Sequence, residues 1–138
     1  MCFAEKYEAP FLKIISSIER SDDLINGKSY YMSEVESILR IINSSKTGEV
    51  HFFLIDEIFR GTNSVERTAA SIEVLRYLNN SKDFVIVATH DLHLTDILSE
   101  SYKNFHFRET MTDTGLHFDY RLTRANRAVK TQLHCWTM

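Results

Sequence analysis

The chain has 138 residues, which is enough for one domain but hardly for two. Hydrophobic residues make up 43% and charged residues 25%, as in an ordinary globular domain, and no apolar run is long enough to cross a bilayer. The net charge of −3 argues against a wholly basic nucleic-acid module. Cys2 and Cys135 form no CxxC pair, so we expect free thiols and a cytoplasmic location. Because no apolar run could span a bilayer, we expect no membrane contact from this segment.

The N-terminal half is predicted to contain a strand, a helix and a second strand. Residues 11–15 are predicted as the first strand, and residues 21–27 as a polar loop. A helix is predicted over residues 29–43, because its apolar residues recur at helical spacing. Residues 50–57 are a short apolar run rich in β-branched and aromatic residues, which predicts a central strand buried on both faces.

Two adjacent carboxylates, Asp56 and Glu57, end this central strand. Burying them without partners would be costly, so we expect them where the strand leaves the sheet, at the edge where ligands bind to open parallel sheets. In nucleotide hydrolases, an Asp at such a position holds Mg²⁺ beside the phosphates and a Glu orients or deprotonates the attacking water. The alternative is that both acids merely face solvent.

A second helix and strand follow the acidic pair. Asn63, with Glu66 three residues later, predicts a capped helix start, and residues 84–88 predict another buried strand. Together with the central strand they form a right-handed, parallel βαβ unit, which brings His90 to the same edge as the acids. The imidazole could contact a γ-phosphate and the attacking water there, or it could be a surface histidine.

The C-terminal part is predicted to add a short helix and an antiparallel edge to the sheet. The helix covers residues 92–99. Residues 104–109 and 116–122 are strand candidates that pair through a hairpin turn at residues 113–115. Residues 123–138 show no clear period.

A phosphate-binding loop is not found in the chain. Gly27, Lys28 and Ser29 give the end of such a motif, but the Gly required five residues before Gly27 is replaced by Asp22. Ser29 is better placed as a helix cap that could bind a phosphate from another chain, and a plain capping role is the alternative.

Two further clusters of polar residues can be explained without a functional role. His90, Asp91 and His93 could be metal ligands together with His106 and His117, but we disfavour a dedicated transition-metal site. A basic run could touch phosphates, although such a run is more often a solvated face. Its members are Arg121, Arg124, Arg127 and Lys130.

Three segments together resemble the MutS family of DNA mismatch-repair ATPases. Residues 54–64 read Leu-Ile-Asp-Glu-Ile-Phe-Arg-Gly-Thr-Asn-Ser, which is similar to the family's Walker B segment (here 50–57) and D-loop (here 60–64). Residues 88–91, Ala-Thr-His-Asp, resemble its switch-histidine segment, and residues 22–34 resemble its signature segment. The motifs occur in the family's order and spacing, and they look closest to those of the short MutS-like proteins.

This resemblance assigns Mg²⁺ coordination to Asp56, activation of water to Glu57 and contact with the γ-phosphate to His90. It also implies residues that contact the nucleotide of the opposite subunit, namely Ser29, Gly61, Thr62 and Asn63. The cofactors of the parent protein would be ATP and Mg²⁺. Its partner would be a second copy of the ATPase domain in a head-to-tail homodimer, and the parent could also bind DNA.

The fold implied is α/β, of the P-loop NTPase type that ABC ATPases share, with a parallel sheet and antiparallel edge strands. Family members carry a Walker A loop upstream, and this chain begins after the place where that loop should be. We therefore expect residues 1–138 to be a single partial domain, incomplete at its N-terminus, with weak nucleotide binding, negligible hydrolysis and no tightly bound cofactor. The missing strand and helix should expose apolar sheet surface, which predicts self-association.

Two other functions stay open from the sequence. The chain could be a non-catalytic dimerisation or interaction module that uses the same segments as contact surfaces. It could also belong to another ABC-type ATPase, such as an SMC-like protein or a transporter subunit, although the transporter signature Leu-Ser-Gly-Gly-Gln is absent.

Overall fold

A computed structural model of the protein describes residues 5–18, 30–60, 63–107, 109–112, 115–125 and 133–136. Strands and helices alternate through the first part of the chain, and further strands follow. In chain order the elements are β1 (Lys13–Ser17), α1 (Tyr30–Ser45), β2 (His51–Asp56), α2 (Ser64–Asn79), β3 (Phe84–Thr89), α3 (Leu92–Ile97), β4 (Lys103–His106), β5 (Glu109–Thr112), β6 (Gly115–Phe118), β7 (Thr123–Arg124) and β8 (Leu133–Trp136).

Six of these strands form one sheet, in the order β1-β2-β3-β8-β4-β7. The first three are parallel, β8 is antiparallel to both β3 and β4, and β7 is antiparallel to β4. The predicted parallel pairing of the two strands that flank α2 is confirmed, since Ile55 lies beside Val87 and Asp56 beside Ala88. The α/β class with antiparallel strands at one side is likewise confirmed.

The core lies against one face of the sheet. Phe53 and Ile55 of β2 and Val85 and Val87 of β3 are at most 3% exposed, and they join a cluster with buried residues of all three helices. Residues of β2 on the opposite face, such as Leu54, are only half-buried. The central strand was predicted to be buried on both faces. This prediction is wrong for the second face, whose residues stay partly exposed.

A buried hydrogen-bonded pair, His51 with Asp83, joins the starts of β2 and β3. The His51 amide donates to Asp83 Oδ1 over 2.8 Å, and His51 Nδ1 lies 3.1 Å from the same oxygen. The His51 ring also stacks on Phe53, with ring centroids 5.4 Å apart. Asp83 Oδ1 thus satisfies both donors of His51 at the end of the sheet opposite Asp56 and Glu57, whereas Asp83 Oδ2 is buried without a hydrogen-bonding partner.

The C-terminal hairpin forms between strands other than those predicted. β4 does not pair with residues 116–118, because its backbone groups bond to β8 and β7 instead. The burial of β4 accounts for this arrangement, because Asn104 and His106 are only 8% and 2% exposed. The side-chain amide of Asn104 also donates to Thr95 O over 3.0 Å, which ties β4 to α3. The hairpin is formed by β5 and β6 as a separate two-stranded sheet, and residues 113–114 of its turn lie outside the described residues.

Smaller differences occur at the two ends of the chain. The first strand lies two residues later than predicted, at Lys13–Ser17. Residues 123–138 were expected to show no regular pattern, yet they contain β7 and β8, and β8 lies inside the sheet. Among the described helices, none combines the length and apolarity needed to cross a membrane.

Candidate active site

The carboxyl ends of β2 and β3 bring the acidic pair and the histidine together. The ladder continues one residue beyond β2, since the Glu57 amide donates to Ala88 O over 2.9 Å. Glu57 Oε1 accepts from the His90 amide over 2.7 Å, and its Oε2 accepts from the Thr89 hydroxyl over 3.1 Å. The predicted placement of Asp56, Glu57 and His90 at one edge of the sheet is confirmed by this geometry.

Glu57 is fixed in place, whereas His90 reaches into solvent. The Glu57 side chain is 15% exposed and the His90 side chain 68% exposed. His90 Nε2 lies 3.9 Å from Glu57 Oε1, which is beyond hydrogen-bonding distance but close enough for both groups to contact one small ligand. The carboxylate is thus oriented by two donors while the imidazole keeps its freedom to meet an incoming group.

A tight turn follows Glu57 and is anchored in the core. Glu57 and Phe59 have φ of 56° and 59°, in the left-handed region that non-glycine residues rarely occupy. Between them, Ile58 is 3% exposed and belongs to the core cluster. The Ile58 carbonyl also accepts a long hydrogen bond of 3.5 Å from the Ser71 hydroxyl of α2. Burial of Ile58 thus holds the turn in this conformation.

Asp56 is bound by an arginine in this structure. Arg60 Nη2 lies 2.9 Å from Asp56 Oδ2, and the two side chains are 29% and 37% exposed. The Arg60 amide donates to Glu34 Oε1 of α1 over 2.9 Å. The pairing of Arg60 with Asp56 could have been predicted from the sequence, because the two residues are four positions apart. The contact of Arg60 with Glu34 could not, because these residues are 26 positions apart.

Caps define the helices that flank the site. Asn63 is the N-cap of α2, and its Oδ1 accepts from the Glu66 amide over 3.0 Å, as the sequence predicts. Asp91 is the N-cap of α3, where its Oδ1 accepts from the His93 amide over 3.0 Å. Its other oxygen accepts from the Thr68 hydroxyl over 2.5 Å. Asp91 therefore joins α2 to α3, a structural role that the sequence did not reveal.

The two helices and the sheet edge enclose an open cleft of about 1100 Å³. Glu57 and His90 lie along it, and Val65 and Ile97 contribute apolar surface that is 77% and 48% exposed. Arg67 also lines the cleft, and its Nε is buried without a hydrogen-bonding partner.

The carboxylates fit a hard divalent cation better than a transition metal. Mg²⁺ is usually bound through one or two carboxylates, with water and substrate phosphates completing the shell, and the carboxylate of Asp56 is a donor of that kind. Within the described ranges, no group of three or more His, Cys, Asp and Glu side chains is arranged to hold a metal ion. His106 is buried in β4, and Asp91 is engaged as a cap.

The remaining predicted residues fall partly outside the described ranges. Asn63 is described, whereas Ser29, Gly61 and Thr62 are not. Of the segment 22–34, the structure describes residues 30–34. In the basic run, Arg121 and Arg124 are described and the two later members are not.

Comparison with known proteins agrees with the resemblance. The family model described as MutS domain V matches residues 4–134. DNA mismatch repair protein MutS of Thermus thermophilus is 32% identical over 120 residues, which are 86% of this chain and 14% of the relative. MutS of Natronomonas pharaonis is 29% identical over 123 residues, with the same coverage of both chains. The human MutS protein homolog 4 is 34% identical over 97 residues, which are 69% of this chain and 10% of the relative. The chain spans about one seventh of the length of the MutS relatives that it matches over most of its own length, and it belongs to the MutS domain V family.

Proposed function

We propose that this chain forms part of an ATP-hydrolysing domain of the P-loop NTPase type, which acts as a dimer in a DNA-associated MutS-like protein. The observation that carries the proposal is the convergence of Asp56, Glu57 and His90 on one rim of the sheet, with Glu57 3.9 Å from the imidazole. Membership of the MutS domain V family supports it, and the relatives' names connect them with DNA mismatch repair. A cytoplasmic location follows from the same proposal.

Each residue has a separate task in this proposal. Asp56 would hold Mg²⁺, which supplies positive charge to the phosphates when it is bound. Glu57 would orient and deprotonate the attacking water, since its two bonds to the Thr89 hydroxyl and the His90 amide aim the carboxylate. His90 would donate a hydrogen bond to the γ-phosphate, a role that suits its exposure.

Contacts across the dimer complete the site in this proposal. Ser29 of one subunit and residues 61–63 of the same subunit would touch the nucleotide held mainly by the other. The backbone amides and the lysine of a phosphate-binding loop are absent from the sequence given, so this polypeptide alone should bind nucleotide weakly.

The test is turnover of ATP by the full-length protein carrying Glu57→Gln. We expect kcat to fall by about 10²-fold or more, because general-base catalysis contributes about that much. Glu73→Gln is the matched control, since Glu73 is an exposed acid of α2 that pairs only with the exposed Arg76 in the described hydrogen bonds. If Glu57→Gln turns over ATP at the rate of the control, the enzymatic function is refuted.

A second candidate is a non-catalytic interaction module. It is favoured by the engagement of Asp56 with Arg60 and of both Glu57 oxygens with neighbouring donors, which leaves the acids satisfied without a ligand. Under this alternative, Glu57→Gln would leave turnover unchanged while dimer formation persisted.

A further inference from the structure

Arg60 occupies the carboxylate that the proposed function gives to Mg²⁺. Its guanidinium lies 2.9 Å from Asp56 Oδ2, and both side chains are partly exposed, so the pair can open without disturbing the core. The guanidinium takes one acceptor position of the carboxylate and places a positive charge beside it, so it competes with a divalent cation for Asp56. Binding of a divalent cation at Asp56 should therefore be stronger when Arg60 has left.

The position of Arg60 is set by a residue of another element. Glu34 lies in the second turn of α1, and its Oε1 accepts the Arg60 amide hydrogen over 2.9 Å. This bond fixes the backbone from which the Arg60 side chain extends to Asp56. A displacement of α1 would consequently change the distance between Arg60 and Asp56.

We propose that Glu34 and Arg60 form a link that holds the metal-binding carboxylate closed until the start of α1 moves. Glu34 acts as a positioning residue through the Arg60 backbone, and Arg60 competes with the divalent cation for Asp56. This inference rests on the proposed function, because it takes Asp56 as the Mg²⁺ ligand. The segment directly before α1 contains Ser29, to which the proposed function assigns the partner's nucleotide, so a contact made there would change the metal affinity of this site.

The link predicts that removal of Glu34 raises the cation affinity of Asp56, whereas simple electrostatics predicts that it lowers this affinity. Removing the negative charge of Glu34 should weaken the binding of any nearby cation if the carboxylate acts only through its charge. If Glu34 instead holds Arg60 in place, its removal frees Asp56 and strengthens cation binding. An exposed ion pair of this kind should alter the affinity by about twofold to fivefold.

The experiment measures Mn²⁺ binding to the 138-residue chain by paramagnetic broadening of its amide NMR signals, which also detects weak sites. Arg60→Gln and Glu34→Ala should each raise the Mn²⁺ affinity at Asp56 by about twofold to fivefold. The double variant should equal Arg60→Gln, because the two residues act in series. Glu34→Gln keeps an acceptor oxygen for the Arg60 amide and should restore the wild-type affinity.

The controls separate this link from general effects. Glu73→Ala removes an exposed acid of α2 that pairs with the exposed Arg76, and it should not raise the affinity. Asp56→Asn should abolish the broadening, and far-UV circular dichroism checks that each variant is folded. Unchanged or weaker Mn²⁺ binding in Glu34→Ala, or absence of broadening near Asp56 in Arg60→Gln, would overturn the proposal. If Glu34→Ala does not fold, Glu34→Gln and Arg60→Gln decide: a Glu34→Gln affinity that departs from the wild type, or an Arg60→Gln affinity that is not raised, contradicts the link.

The outcome is distinguishable from failure of the proposed function. If the Mn²⁺ affinities change as expected but Glu57→Gln leaves ATP turnover intact, the link stands and the enzymatic function fails. If Glu57→Gln abolishes turnover and Glu34→Ala does not raise the affinity, the function stands and the link fails.

Discussion

Substitution of Asp83 by alanine should remove a large part of the stability of this protein. The Asp83 and His51 side chains are 1% and 3% exposed, so neither can exchange its partner for water. Asp83→Ala removes the acceptor of two bonds, from the His51 amide at 2.8 Å and from His51 Nδ1 at 3.1 Å. It also leaves two buried donors of His51 unsatisfied.

The magnitude follows from these two bonds. A hydrogen bond to a charged group contributes about 1.5–3 kcal/mol, so two such bonds correspond to about 3–6 kcal/mol. The burial of Asp83 Oδ2 without a hydrogen-bonding partner reduces this figure somewhat. We expect Asp83→Ala to lower the free energy of unfolding by about 3–5 kcal/mol, out of a total of about 5–15 kcal/mol. Asp83→Asn retains an acceptor for the His51 amide, so it should cost less.

The assay is urea unfolding followed by far-UV circular dichroism, with the m-value as a check that the unfolded state is unchanged. Asp96→Ala is the matched control, because Asp96 is exposed on α3 and its loss should change the free energy of unfolding by no more than about 0.5 kcal/mol. A loss below about 1 kcal/mol for Asp83→Ala would show that the pair does not hold the two strands together.

Three smaller effects are expected in the same unfolding assay. Asn63→Ala should cost about 1 kcal/mol, because it removes the cap that binds the Glu66 amide, and Asn63→Ser should recover most of that loss. Arg67→Met should be neutral or stabilising, since it replaces a buried Nε that has no partner, and a loss above about 1 kcal/mol would reveal a contact for this side chain. The hydrogen bond from Lys13 lowers the pKa of Glu49 below its ordinary value of 4.5, so its contribution to stability is present above that value and is lost as the pH falls through the lowered pKa. Glu49→Gln should therefore lose less stability than the wild type on acidification, and equal pH profiles would contradict this.

The βαβ unit could be predicted because its signals are local. Two apolar runs separated by a capped helix imply parallel neighbours, and parallel strands end at the same edge. Asp56 and His90 are therefore brought together by rules that need only the sequence near each of them. The cap at Asn63 is local in the same way, because its acceptor and donor are three residues apart.

The parts that sequence reasoning missed depend on contacts between distant residues. β8 has no alternating pattern of its own, and its place between β3 and β4 is set by pairing with strands far earlier in the chain. The hairpin prediction for residues 104–109 failed because a local turn signal competed with the burial of Asn104 and His106. The pair of His51 with Asp83 spans 32 positions, so neither residue marks the other in the sequence.

The turn after β2 indicates which part of the site must move and which must not. Glu57 and Phe59 occupy left-handed conformations that cost about 1–2 kcal/mol each in residues with a side chain, and burial of Ile58 offsets that cost. Because the ladder bond to Ala88 O and the two donors to Glu57 add to this anchoring, the carboxylate is preorganised before any ligand arrives. Arg60, at the end of the same turn, binds Asp56 through a partly exposed ion pair, and its amide donates to Glu34. The turn therefore combines a firmly held carboxylate with a partly exposed guanidinium, and the proposed regulation would act on the guanidinium.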